Sequence, residues 1–361
     1  MSIRLTLFFG IFAVMALSNA IVPVLPSFAD RSSLQGAIYA AYFLGAVLST
    51  IPAGILSDRF GRVPLIRLGL IITVISGILL SWIISPFPVL GIRFIEGIGA
   101  GFFVAAAMSY VNSVPEHERM SGYFMALLNA GLVAGLVLTG WLATFFQLPA
   151  AGIIFFTGCA VFPAVTGFFI RESPGGNPKD DRSFLLPLVS EYRYFWYSSV
   201  VLIGITGVVI SLYPEFSGVY FDIAGFWIAF MSVSTIIAVL IASHISLRPV
   251  KTIRWCAILM VFGVFIAFYS PLGFIAIGAL AGVVMIAQMA FLADIKEHQG
   301  VTMGLFSTTS YLGMAVLPFI AGFIAESFGF FITFCATAMC AVTVALTIGQ
   351  CSCKGRFNRN P

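Results

Sequence analysis

Charge is what this sequence of 361 residues has least of: Asp, Glu, Lys and Arg together make up only 9%. Typical soluble domains carry roughly 25%. A chain that is 60% hydrophobic, with a mean hydropathy of +1.07, cannot be a water-soluble globule. No run of basic residues interleaved with aromatics is present to track a phosphate backbone, so the net charge of +4 does not point to nucleic acid. No G-x-x-x-x-G-K-(S/T) loop occurs, which excludes that means of harnessing ATP. The six cysteines (Cys159, Cys256, Cys335, Cys340, Cys351, Cys353) have neither metal-ligand spacing nor the layout of a secreted disulfide framework. No metal and no cofactor are expected. Acids are too sparse for a membrane-embedded lipid-group transferase, which needs clustered carboxylates for a metal or phosphate. The one dense pair, Asp180-Asp181, lies in a polar linker.

What is abundant is apolar sequence in lengths of about 20 residues, enough for one membrane crossing each. Candidate spans run over 5–29, 34–57, 64–85, 87–112, 121–145, 150–170, 192–214, 223–245, 252–270, 272–293, 301–325 and 328–350. The first is too long for a typical signal segment and is read as a retained helix. Of the 18 Lys and Arg, only Arg31 falls in an expected outer loop and Arg93 inside a span; all the others fall on the inner side, as the positive-inside rule requires. The outer loops carry Asp30, Glu215, Asp222 and Glu326 instead. Both termini are therefore expected in the cytoplasm and the protein in the cell membrane, with the lipid bilayer as its surroundings.

The polar stretch 171–191 divides the chain into 1–170 and 192–350, six spans each, followed by a basic tail at 351–361. Across it Gly122, Gly131 and Gly140 recur as Gly304, Gly313 and Gly322, each at an offset of 182. The loop Ser246–Lys251 echoes Ser57–Arg62 at an offset of 189, without the aspartate or the glycine. Such internal symmetry is characteristic of transporters built from two related halves.

The charged turn Gly54-Ile-Leu-Ser-Asp58-Arg59-Phe-Gly61-Arg62-Val-Pro-Leu-Ile66 stands between two apolar spans. Gly54 and Gly61 permit close helix approach and a tight turn there. Arg59 and Arg62 satisfy orientation rules alone, but Asp58 does not. The stretch resembles the loop between helices 2 and 3 of the major facilitator superfamily, G-x-L-a-D-R-x-G-R-(R/K)-x-x-L. Gly54, Leu56, Asp58, Arg59, Gly61 and Arg62 match, while Val63 replaces the second basic residue and Ile66 holds the final leucine position. The resemblance implies an all-α membrane protein of twelve transmembrane helices in two pseudo-symmetric six-helix bundles. It also implies that Asp58 locks against the start of helix 11, near Thr302 and Met303, and steadies the outward-open state. Glu118 and Arg119 match the loop between helices 4 and 5 and are expected to join that charge cluster.

Arg93 and Glu96 share a face of the fourth span. A charge within the bilayer costs about 2.5–3.5 kcal/mol on insertion scales, so such residues normally meet a partner or a cavity. The segment Arg93-Phe-Ile-Glu96-Gly97-Ile-Gly99 resembles the family's R-x-x-Q-G-x-G, whose arginine is implicated in proton transfer or substrate binding. A locally satisfied structural pair, with Arg93 two turns below the surface and able to snorkel, is the plainer reading. Gly131-x-x-x-Gly135-Leu136-x-x-Thr139-Gly140 resembles an antiporter pattern, but Leu136 stands for its proline and Thr139 for a glycine, which weakens an antiporter assignment; small-residue packing is a sufficient explanation and the favoured one. Asn19, Asn129, Gln288 and Tyr311 are candidates to line a polar cavity, or to make hydrogen bonds between helices.

The expectation is a secondary transporter that moves a small solute by alternating access, an exporter of amphipathic compounds, with protons as a candidate coupling partner. A proton-coupled importer of a small anionic metabolite and a transporter-like sensor remain open alternatives.

Overall fold

The computed structural model describes residues 3–112, 117–169, 185–245, 247–293 and 299–350, and every regular element among them is helical. The first helix, α1 (Ile3–Ala20), is shorter than the span expected at 5–29. Pro23 and Pro26 lack the amide hydrogens an α-helix needs, so the chain tightens into a 3₁₀ turn over Val22–Ser27. Arg31 is extended, and α2 (Ser32–Phe60) runs back for 29 residues. Gly61 then adopts φ 89°, ψ 163°, a region essentially reserved for glycine, and α3 (Arg62–Trp82) starts at the next residue. That confirms the tight turn expected there. Gly54, by contrast, would meet nothing within 4 Å if given a Cβ, so it makes no close helix approach in this conformation.

The helices α4 (Pro86–Asn112), α5 (His117–Phe146) and α6 (Ala151–Gly167) follow. Pro86 suits the first position of α4, where a missing N–H costs nothing. A left-handed Gln147, φ 51°, lies just beyond the end of α5. The segment read from sequence as linker ends in a short helix, α7 (Leu185–Glu191), tied down where the Trp196 indole Nε1 donates to the Leu188 carbonyl over 3.1 Å. The second series is α8 (Arg193–Ser217), α9 (Phe221–Ala242), α10 (Pro249–Tyr269), α11 (Leu272–Ala293), α12 (Gln299–Phe328) and α13 (Phe330–Thr347). Among the described residues eleven helices are long and apolar enough to cross a bilayer, and α6 is a shorter apolar one. The helices sort charge to two opposite faces. Arg62, Arg67, Arg193, Lys251 and Arg254 begin helices at one face; Arg31, Glu215, Asp222 and Glu326 lie at the other.

Two of the three glycine pairs of the repeat are matched in space; of the third, Gly304 meets nothing within 4 Å and the surroundings of Gly122 lie outside the described residues. Gly131 of α5 lies against the Phe12 carbonyl of α1, and Gly313 of α12 lies the same way against the Val200 carbonyl of α8. Gly140 of α5 rests on Phe221 and Asp222 at the start of α9; Gly322 of α12 rests on Ser32 and Ser33 at the start of α2. Completing the set, Gly225 of α9 meets the Leu136 carbonyl and Gly36 of α2 meets the Pro318 carbonyl, where an added Cβ would sit 2.5 Å from the oxygen. Leu136 and Pro318 are themselves 182 apart. Two crossings, α2 on α12 and α5 on α9, thus join the two helix series through interlocked glycines. Both seams lie toward the Arg31 face.

Candidate functional site

Beneath the seams, Arg93 and Glu96 meet at the crossing of α4 with α2. Gly97 of α4 lies on the Tyr42 carbonyl and Gly45 of α2 on the Phe94 carbonyl, and this close approach brings the Tyr42 ring to the charged pair. Arg93 Nη1 donates to Glu96 Oε2 over 2.7 Å, and both side chains are 1% exposed. Arg93 Nη2 donates to the Ser18 carbonyl of α1 over 3.0 Å. The guanidinium carbon stands 4.6 Å from the Tyr42 ring centroid, a desolvated cation–π contact. The arginine therefore points inward to α1 and does not snorkel to the surface, as the sequence had allowed. Nor is the pair fully satisfied locally: Glu96 Oε1 and Arg93 Nε are buried with no hydrogen-bond partner. A buried ion pair offsets its desolvation only when the remaining lone pairs and protons are also met, so this pair is poised rather than inert.

Aromatic rings extend the cluster across the boundary between the helix series. Phe43 lies 5.1 Å from Tyr39, 5.2 Å from Tyr42 and 6.2 Å from Tyr311 of α12, centroid to centroid. Tyr311 is thus the one expected cavity residue from the second series that reaches the charged pair's surroundings. Asn19 adjoins Ser18 and donates from Nδ2 to the Leu132 carbonyl of α5 over 3.3 Å. Asn129 turns back on its own helix, donating to the Met125 carbonyl over 2.8 Å. Gln288 of α11 is wholly buried and donates to Ser198 Oγ of α8 over 3.4 Å. Of these, Gln288 makes the hydrogen bond between helices that the sequence allowed, while the Asn129 bond stays within its own helix.

At the Arg31 face a second polar group spans the α2–α12 seam. Glu326 of α12 accepts a hydrogen bond from the Ser33 hydroxyl and faces Arg31 Nη1 at 3.7 Å. Glu215 of α8 lies beside Ser32 and Glu326. Carboxylates at the first turn of a helix are favoured by its dipole, so α12 and α8 clasp the start of α2. These acids were visible in the sequence only as a topological bias. Nothing in the chain order pairs Ser33 with Glu326. Tyr39, Tyr42 and Ser18 were likewise missed, since tyrosines and a serine in apolar spans carry no distinguishing signal.

At the other face, Asp58 and Arg59 occupy the last turn of α2, with Gly61 and Arg62 completing the turn into α3. Thr302, in the first turn of α12, is wholly buried. The side chains of Asp58, Arg59, Glu118, Arg119 and Met303 lie outside the described residues. Arg67, one turn further into α3, donates from Nε to the Gly167 carbonyl over 3.0 Å and from Nη2 to the Phe168 carbonyl over 3.1 Å, closing the end of α6.

A family profile described as Major Facilitator Superfamily matches residues 7–316. Multidrug resistance protein 2 of Bacillus subtilis (strain 168) is 25% identical over 358 residues, covering 89% of this chain and 88% of its own. Multi-drug resistance efflux pump PmrA of Streptococcus pneumoniae is 30% identical over 179 residues, 45% of this chain and 44% of that one. Among solved structures, a bacterial homolog of the human lysosomal transporter Spinster, in an inward-facing and occupied conformation, superposes with a TM-score of 0.82 at 15% identity, over 99% of this chain and 98% of that one.

Proposed function

The chain belongs to the major facilitator superfamily, and from that premise we propose that this secondary transporter is a proton-coupled exporter of amphipathic, preferentially cationic compounds. The observation that carries the reading is the buried Arg93–Glu96 pair, with an unpartnered carboxylate oxygen, beside the Tyr42 ring and the cluster of Tyr39, Phe43 and Tyr311 that continues from it. Aromatic faces beside a carboxylate suit a lipophilic cation. The Glu96 carboxyl exchanges a proton for the solute: protonation breaks its pairing with Arg93, whose guanidinium keeps the Ser18 carbonyl and the Tyr42 ring. The sorting of basic residues supports an orientation in the cell membrane with the Arg62 face cytoplasmic and both termini inside. The two halves, 1–170 and 192–350, rock about the Arg93 cluster.

In this reading the glycine seams and the Glu326 clasp close the outer side, and the Asp58 turn engages the start of α12 when the outer side opens. The inward-facing conformation named for the Spinster homolog supports the same assignment. Import of a small anion is the second reading, favoured by a putative inorganic phosphate cotransporter of Drosophila melanogaster that is 29% identical over 163 residues.

Purified protein in liposomes with an imposed pH gradient separates the two. Proton-driven movement of a fluorescent lipophilic cation is expected, unaffected by phosphate. Glu96→Gln is expected to abolish the gradient-driven part while leaving solute exchange measurable. Unchanged pH dependence in Glu96→Gln removes the coupling role, and phosphate uptake without cation movement favours the second reading.

A further inference from the structure

On the outside of the second helix series, α10 and α13 leave a groove between them. Ile258, Val261 and Phe262 of α10 and Val342, Ala345 and Leu346 of α13 line a cavity of about 310 Å³, with Arg254 at its mouth. From Arg254 to Phe262 is eight residues, a rise of about 12 Å. That covers most of one leaflet of a hydrocarbon core about 30 Å thick.

Arg254 gives this groove a polarity that an ordinary lipid-facing furrow lacks. It is exposed, and no carboxylate or hydrogen-bond acceptor among the described residues pairs with it. Its surroundings are interfacial: Trp255 is 65% exposed beside it, exposed Lys251 stands one turn nearer the helix start, and Gly349 at the end of α13 lies alongside the guanidinium. An unpaired guanidinium at that depth matches a phosphate bidentately, and basic pockets between transmembrane helices on the positive side are suited to anionic head groups.

We propose that this groove is a binding site for an anionic phospholipid, its phosphate on Arg254 and Lys251 and one acyl chain along Ile258 to Phe262. Charge complementarity selects the occupant. A zwitterionic lipid could fill the apolar part equally well but would bring a cation to a site that already has two.

The test uses the full chain in detergent, titrated with phosphatidylglycerol or phosphatidylcholine, with bound lipid counted by native mass spectrometry and melting temperature followed in parallel. Phosphatidylglycerol should occupy the wild-type protein preferentially and raise its melting temperature. Arg254→Gln should reduce that preference on the order of fivefold, without altering the melting temperature in lipid-free detergent. Ala345→Phe, which fills the groove, should remove binding of the chain itself. Arg31→Gln, at the opposite face, should change neither. Equal occupancy by the two lipids, or an unaltered preference in Arg254→Gln, overturns the proposal. So does selectivity that appears only once residues 351–361 are removed, for the groove would then seat the chain's own tail. Occupancy that falls as protein concentration rises overturns it as well, since a second copy would be the occupant.

Discussion

Arg93 and Glu96 each lose more alone than together. Removing the carboxylate leaves a guanidinium buried with only the Ser18 carbonyl and the Tyr42 face as partners. Breaking one side of a buried pair typically costs about 3–5 kcal/mol, whereas replacing both sides with apolar residues of similar size is often neutral. Glu96→Leu is therefore expected to lower thermal stability markedly, and Arg93→Met combined with Glu96→Leu to restore most of it while transport stays absent. A double-mutant cycle on melting free energies checks this; additive losses would mean the two groups do not depend on each other. The pair was legible in the sequence because charge is so rare in an apolar span. Its depth was not, because the direction of the arginine is set by the Ser18 carbonyl and by glycine contacts on two other helices. Tyr42 is buried at the same crossing yet could not be singled out among 11 tyrosines.

Helix by helix, the seams are demanding packing, as is the crossing of α4 with α2, where Gly97 meets the Tyr42 carbonyl. The Gly36 Cα faces the Pro318 carbonyl so closely that a Cβ would lie 2.5 Å away, and Gly322 faces the Ser32 carbonyl at the same distance. Backbone cannot yield as a flexible side chain can, so Gly36→Leu or Gly225→Leu must part the helices. Each is expected to shift the population toward a conformation open at the Arg31 face. Impermeant maleimide labelling of a cysteine placed at Tyr39 reports it; labelling no faster than in the glycine parent would mean the seam is not a gate. Glu326→Ala should act in the same direction but more weakly, because a half-exposed ion pair contributes only about 0–1 kcal/mol. The glycine period of 182 announced that two halves repeat, but which carbonyl each glycine meets is a matter of tertiary packing. The antiporter-like pattern around Leu136 shows the difference. Sequence registered a missing proline, while the structure shows Leu136 and Pro318 in matching roles against Gly225 and Gly36.

The whole molecule gathers basic helix starts at one face and sets Glu215, Asp222 and Glu326 at the other. If the Arg62 face is cytoplasmic, a cysteine replacing Phe60 in intact cells should resist an impermeant thiol reagent until the membrane is permeabilised, and one replacing Tyr220 should react at once. Both are well exposed in the fold, at 71% and 76%. Reversed reactivity would turn the transporter over in the membrane. Composition and span length made the all-helical membrane architecture plain, because continuous apolar runs of about 20 residues suit helices and lack the alternation of barrel strands. Helix α6 is where the even division into twenty-residue crossings breaks down. At 17 residues it reaches about 25 Å, while its neighbours α3 and α5 run to 21 and 30 residues. Arg67 occupies the last carbonyls where the helix falls short, so a polar group sits at a depth that lipid tails would otherwise fill. Local thinning of the bilayer, or the reach of Arg67 outward to the interface, makes up the difference along that flank.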